Sequence, residues 1–144
     1  MPFKNPTENE IDEILENSKT IAVIGMSKNP EKDAYTVPEY VKSKGYRVIP
    51  VNPSADQILG EKAYKRLREV PGEIDIVDVF RPSEDVPNYV EDVLEKKPKV
   101  FWLQLGIHNP EAEDEIASHG IRVLYNKCMR VELRRSELFT TGKM

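Results

Sequence analysis

Five short apolar runs punctuate the chain: Ile21–Gly25, Val48–Val51, Ile74–Phe80, Val100–Leu105 and Ile121–Tyr125. Valine and isoleucine are frequent in them, and glycine or proline lies close by. Continuous apolar runs of this length read as parallel strands buried on both faces. Stretches with helical spacing separate them. Val37–Lys44 opens on Val-Pro, which puts Pro38 in a first turn, and stops at Gly45. Ser83–Lys97 offers Ser83 as an N-cap with Glu84 and Asp85 behind it. Pro110–His119 ends at Gly120. Ahead of the first strand, Thr7–Ser18 predicts an extra helix, with Thr7 as cap and Ile11, Ile14 and Leu15 as its apolar face. Lys127–Leu138 predicts a closing helix. Asp56–Arg68 has a weaker pattern, with Leu59-Gly60 and a short helix around Tyr64–Arg68.

Strand–helix alternation of this kind predicts right-handed crossovers and an α/β fold. We expect one domain with a Rossmann-like, doubly wound parallel sheet of about five strands, in the order 3-2-1-4-5, with flanking helices. Its core spans about residues 20–138, behind the extra helix at 7–18. The topological switch then lies beside the first strand, and ligands of such sheets bind at the carboxyl ends of the strands. The residues to weigh are therefore Gly25–Asn29, Asn52-Pro53, Phe80-Arg81-Pro82, Gln104–Ile107 and Asn126–Cys128.

Composition narrows the classes. The 144 residues suit one core, and 32% are charged. A net charge of −4 argues against broad electrostatic binding of nucleic acid. It leaves room for a local basic pocket. The single cysteine, Cys128, excludes an intramolecular disulfide, and no Cys/His cluster suggests structural zinc. Met1–Lys19 lacks an apolar segment of signal-peptide type and no run approaches a membrane span, so a cytoplasmic location is expected. Only Gln57 and Gln104 are glutamines, beside the high charge content, which points weakly to a thermophilic source.

The chemistry sits at the strand ends. Gly25 can take backbone angles closed to other residues and lets a ligand approach the main chain. A helix starting a few residues later would turn its free N–H groups to that mouth, the general design of a nucleotide phosphate site. An NAD(P) site normally has three glycines here and an acid closing the second strand. This chain has Gly25 alone, and Asn52 followed by Pro53. No P-loop follows either. Pro50 and Pro53 bracket Val51-Asn52, making either a rigid turn or a stiff wall for a flat base. Arg81, beside Phe80, can pair with a phosphate, stack on a purine or stay solvated. Gln104 lies inside an apolar run and must find hydrogen-bond partners if buried. Trp102 reads as core. Asn126 is placed to cap the final helix, and Cys128 falls in that helix's first turn as a candidate reactive thiol. His108 and His119 read as loop and surface residues, and the carboxylates fall mainly on outer faces. No nucleophile–base constellation emerges.

Taken in order, Ile21-Ala-Val-Ile-Gly-Met-Ser27, Gly45-Tyr-Arg-Val-Ile-Pro-Val-Asn-Pro53, Asp75-Ile-Val-Asp-Val-Phe-Arg81, Trp102-Leu-Gln-Leu-Gly106 and Asn126-Lys-Cys-Met-Arg-Val-Glu132 resemble the small stand-alone coenzyme A (CoA)-binding proteins of bacteria and archaea. Their Rossmann-like domain is similar to the CoA-binding part of the succinyl-CoA synthetase alpha subunit. The resemblance runs from about Thr20 to about Leu138. It implies a CoA or acyl-CoA site. Gly25, Met26 and Ser27 would hold the pyrophosphate, with Lys28 and Tyr35 nearby. Asn52 and Pro53 would line the adenosine pocket, closed by Phe80 and Arg81. Gln104 and Gly106 would approach the pantetheine arm, and Asn126 would complete the floor. Met26 departs from a usual alanine and Asn126 from a common aspartate.

The resulting expectation is a CoA-binding, sensing or carrier module without catalytic chemistry of its own. Three alternatives stay open: a CoA thioester or disulfide enzyme using Cys128, an NAD(P)-type redox or sensor domain, and an interaction domain whose strand ends are only turns. The terminal helices offer a face for a homodimer or another protein partner.

Overall fold

A computed structural model describes residues 5–142, with side chains as far as residue 137. A parallel five-stranded sheet forms from β1 (Thr20–Ile24), β2 (Arg47–Val51), β5 (Ile76–Val79), β6 (Val100–Leu103) and β7 (Arg122–Leu124). The short strands β3 (Gln57–Ile58) and β4 (Glu61–Lys62) pair as a separate hairpin. Leu59 and Gly60 join them with φ of +54° and +75°, as a tight hairpin turn requires. The helices are α1 (Glu8–Glu16), α2 (Asp33–Ser43), α3 (Val90–Lys96), α4 (Pro110–Ser118) and α5 (Met129–Gly142).

Successive strand residues face opposite sides. Ile21, Val23, Ile76 and Trp102 join one core with α1, α2 and α5. Ala22, Ile24, Val77 and Phe101 join the other with α3 and α4. The result is three layers, with the sheet buried on both faces. Trp102 is fully buried, and its indole N–H donates to the Lys127 carbonyl at 2.8 Å.

The sheet runs β2-β1-β5-β6-β7. Counted over its five strands this is 2-1-3-4-5 where 3-2-1-4-5 was expected. The doubly wound class and the switch beside β1 hold, while the third strand lies inside the sheet next to β1. Pro50 explains the difference. A strand with proline belongs at an edge, because its nitrogen cannot donate. The Pro50 carbonyl accepts from Tyr64 N–H at 3.0 Å on the side away from β1, so the missing N–H also faces outward. Among the described residues only the irregular segment at Tyr64 pairs with that edge.

Helix boundaries shift where proline and capping decide them. Thr7 and Glu10 form a reciprocal capping box on α1, and Ile11, Ile14 and Leu15 are buried as expected. Helix α2 starts four residues before the expected Val37, so Pro38 is interior rather than in the first turn. Ser83–Tyr89 is a 3₁₀ segment containing Pro87, and α3 begins only after it. Ser83 does not cap it; its hydroxyl accepts from His108 N–H at 3.0 Å. Asn109 caps α4 through the Ala112 N–H. The short helix expected near Tyr64–Arg68 is a 3₁₀ turn at Leu67–Glu69.

The base of the sheet is tied by Asp75. Its Oδ2 accepts from Lys19 N–H at 2.8 Å and Thr20 N–H at 3.0 Å, and Lys99 lies 3.3 Å from Oδ1. Burial works to raise this carboxyl, but the two backbone donors and Lys99 hold it below its ordinary value. Asp75→Ala leaves two donors without their acceptor and should lower stability by about 1–3 kcal/mol in urea denaturation.

Candidate functional site

Three strand ends converge at the switch. Gly25 N–H donates to the Val51 carbonyl at 3.0 Å, and Phe80 N–H donates to the Ile24 carbonyl at 2.8 Å. These bonds draw the exits of β1, β2 and β5 together. Gly25 has φ of +83°, and a Cβ there would stand 2.6 Å from the Phe80 carbonyl oxygen. Only glycine fits.

A cavity of about 570 Å³ opens over these ends. Gly25, Met26, Ser27, Asn52, Pro53 and Arg81 line it, as do Lys32, Lys65, Arg66, Asn88, Tyr89 and Asp92. Such a volume suits a nucleotide-sized ligand. Four cations, Lys32, Lys65, Arg66 and Arg81, face a single acid, Asp92, in a chain whose net charge is −4. Lys32 and Lys65 enter no ion pair among the described residues. Arg81 reaches Asp85 at 2.9 Å with its side chain 46% exposed, which leaves it free to turn inward.

The loop after β1 is fixed by main-chain bonds. Pro38 has no N–H for the Ala34 carbonyl one helical turn back. Ser27 N–H donates to that carbonyl instead, at 3.1 Å. Ser27 N–H is thus committed to the fold. Lys32, the N-cap of α2, makes no side-chain cap bond, so the first N–H groups of the helix, at Asp33 and Ala34, remain for an anion. Asn52 donates to the Met26 carbonyl at 2.8 Å and accepts from Ser54 N–H at 2.7 Å. An aspartate could make the second bond but not the first. Asn52 therefore shapes the wall with both ends of its amide engaged.

A second cavity, of about 280 Å³, adjoins the first through Ala34 and Arg81. Phe80, Leu105, Ile107 and Val37 make it largely apolar, and Gln104 and Cys128 line it. Leu105 is 69% exposed at its edge. Cys128 lies just before α5 rather than in its first turn, and its carbonyl accepts from Glu132 N–H at 3.0 Å. Gln104 is buried. It donates to Asp78 at 2.6 Å and accepts from Met129 N–H at 3.4 Å, tying the sheet interior to the start of α5. Burial pushes the Asp78 carboxyl up to about 7, against the hydrogen bonds from Gln104 and the Val79 backbone.

Four of the sequence-selected residues line neither cavity. Lys28 is exposed beside the loop and Tyr35 packs on the core. Gly106 N–H donates to the Asn126 side chain at 2.7 Å, so Asn126 ties two loops together instead of capping α5. His108 joins buried Glu113 at 2.7 Å and stacks on Tyr125, while His119 lies against the Glu115 carbonyl at the end of α4. Sequence reasoning missed Lys32, Lys65, Arg66, Tyr89 and Asp92. It placed the carboxylates mainly on outer faces, and the exceptions are Asp78, Asp92, Glu113 and Glu132, which are buried. Asp78 carried a readable signal, as one acid inside an apolar run. Lys65 and Arg66 carried none, because their place follows from a segment with no regular pattern.

Among the described residues no His/Cys/Asp/Glu group could hold a metal, and no helix is long and apolar enough to cross a membrane.

A family model described as CoA binding domain matches residues 19–134. The uncharacterized protein YneT of Bacillus subtilis is 44% identical over 129 residues, covering 90% of this chain and 96% of its own length. A solved Thermus thermophilus structure superposes with a TM-score of 0.88 at 38% identity, covering 91% of this chain and 99% of the other. The alpha subunit of the ADP-forming acetate–CoA ligase II of Pyrococcus furiosus is 29% identical over 136 residues, or 87% of this chain. That match spans only 30% of the ligase subunit.

Two expectations follow from this geometry. Gly25→Ala forces a left-handed alanine, costing about 1–2 kcal/mol, before the clash with the Phe80 carbonyl is counted; a lower urea midpoint is the measurement. Asp78 has a folded value above its ordinary 3.8. Its neutral form is favoured in the fold, so its contribution is full below about pH 4 and is lost as pH rises through about 7. Stability curves between those limits should fall more steeply for the parent than for Asp78→Asn, and parallel curves would count against the buried-acid assignment.

Proposed function

The chain belongs to the CoA-binding domain family, and on that premise we propose that it binds coenzyme A or an acyl-CoA across the two adjoining cavities, as a binding, sensing or carrier module. The observation that carries this is the cationic excess of the larger cavity, four basic side chains against one acid. CoA is a polyanion with a diphosphate and a 3′-phosphate. Its adenosine lacks the free 2′,3′-diol that an acid after the second strand would hold in NAD, and Asn52 stands in that place.

The diphosphate would lie at the start of α2, between its unbonded Asp33 and Ala34 N–H groups, Lys32 and Arg81. Gly25, Met26 and Ser27 would form the loop beneath it. Asn52 and Pro53 would wall the adenosine, with Tyr89 as a second flat surface. Pantetheine would pass Arg81 and Phe80 into the apolar cavity, bringing its thiol toward Gln104 and Cys128. Among the described residues lining the two cavities no nucleophile is paired with a base, which favours binding over catalysis.

A thermal-shift panel on ligand-stripped protein tests the reading, with CoA, acetyl-CoA, NAD, NADP and ATP. CoA at roughly 100 times its dissociation constant should stabilise by about 2.7 kcal/mol, with little change from NAD. A shift with NAD and none with CoA would reverse the assignment. No shift with any nucleotide would leave the family fold without a nucleotide function.

A further inference from the structure

The cations around the larger cavity come in two separate pairs. Lys32 and Arg81 stand at the start of α2 and the end of β5. Lys65 and Arg66 follow Tyr64, which pairs with the outer edge of β2. Tyr64, β2, β1 and β5 are successive neighbours, so three ladder spacings, about 14 Å of backbone, separate the segment that carries Lys65 and Arg66 from β5, which leads to Arg81. One compact diphosphate has no use for both.

The second pair is also held ready. Asp92 is buried and accepts from Arg66 and from Arg68, each at 2.8 Å, through the same oxygen. Burial would raise this carboxyl, but the two arginines hold it below its ordinary value. Arg68 also meets Glu91 at 3.4 Å and Glu95 at 3.3 Å. Arg66 has no other acid, and Lys65 beside it has none among the described residues. Glu91 and Glu95 thus face Arg68, and the positive charge on the cavity wall here is that of Arg66 and Lys65. A guanidinium fixed by a buried carboxylate is pre-organised to give its remaining donors to a phosphate.

We propose that Lys65 and Arg66 form a second anion subsite that reads the 3′-phosphate of CoA, with Asp92 as the positioning residue and the diphosphate held apart at the start of α2. This rests on the CoA reading above and names what makes that site selective. Dephospho-CoA and NAD lack the group. NADP carries its extra phosphate on the neighbouring ribose carbon.

Titration calorimetry of the full chain with CoA, dephospho-CoA and NADP tests this, on the parent and on Lys65→Ala/Arg66→Gln. Asp92 keeps Arg68 in that variant, so the fold should hold, and a melting curve checks it. The parent should prefer CoA to dephospho-CoA by roughly tenfold or more, the range of a charge-assisted hydrogen bond. The variant should lose that preference while its affinity for dephospho-CoA stays within about twofold, below 0.5 kcal/mol. Equal weakening toward both ligands would assign the two side chains a structural role and overturn the proposal. So would equal binding of CoA and dephospho-CoA by the parent, or tighter binding of NADP than of CoA, and the first of these leaves the CoA reading standing. Failure of the parent to bind either CoA species removes both.

Discussion

The site depends on one close approach, the passage of Gly25 past the Phe80 carbonyl. Strand β1 is buried on both faces, so its backbone groups must pair with its neighbours up to its last residue. The Gly25–Val51 and Phe80–Ile24 bonds satisfy that demand and draw three strand exits into one mouth. They also bring the Phe80 carbonyl to where a side chain on residue 25 would be. The position of the cavity thus follows from hydrogen-bond accounting in the sheet.

Around that mouth, two kinds of polar residue do different work. Asn52, Gln104 and Asn126 spend their side chains on the protein, joining one loop or strand to another. Lys32, Lys65, Arg66 and Arg81 remain wholly or partly uncommitted. Gln104 is buried and must find its partners within the fold. An exposed lysine can wait for a ligand. Shape therefore comes from the neutral residues and attraction from the charged ones. In an acidic chain, the mouth is lined by four basic side chains and one acid.

Much of this was legible in the sequence, and the limits are physical. The five strands announced themselves because burial on both faces leaves continuous apolar runs. Gly25, Asn52, Arg81 and Gln104 could be chosen because a doubly wound sheet exposes its strand ends. Strand order was misread although Pro50 held the answer, since a proline belongs to an edge strand. Helix starts were misread where Pro38 and Pro87 act through the bonds they remove. Lys65, Arg66 and Tyr89 were out of reach, because no local periodicity marks a residue that irregular chain carries to a cavity wall.

Pro38 has a consequence for how such a site can change. By leaving the Ala34 carbonyl free, it allows the loop to be fastened to the helix through main-chain atoms alone. The Ser27–Ala34 clasp asks nothing of the side chain on either residue. The mouth can keep its outline while the groups displayed on it are exchanged one at a time. Architecture and chemical preference are written in separate parts of the same short segment, so a new ligand can be tried without rebuilding the frame.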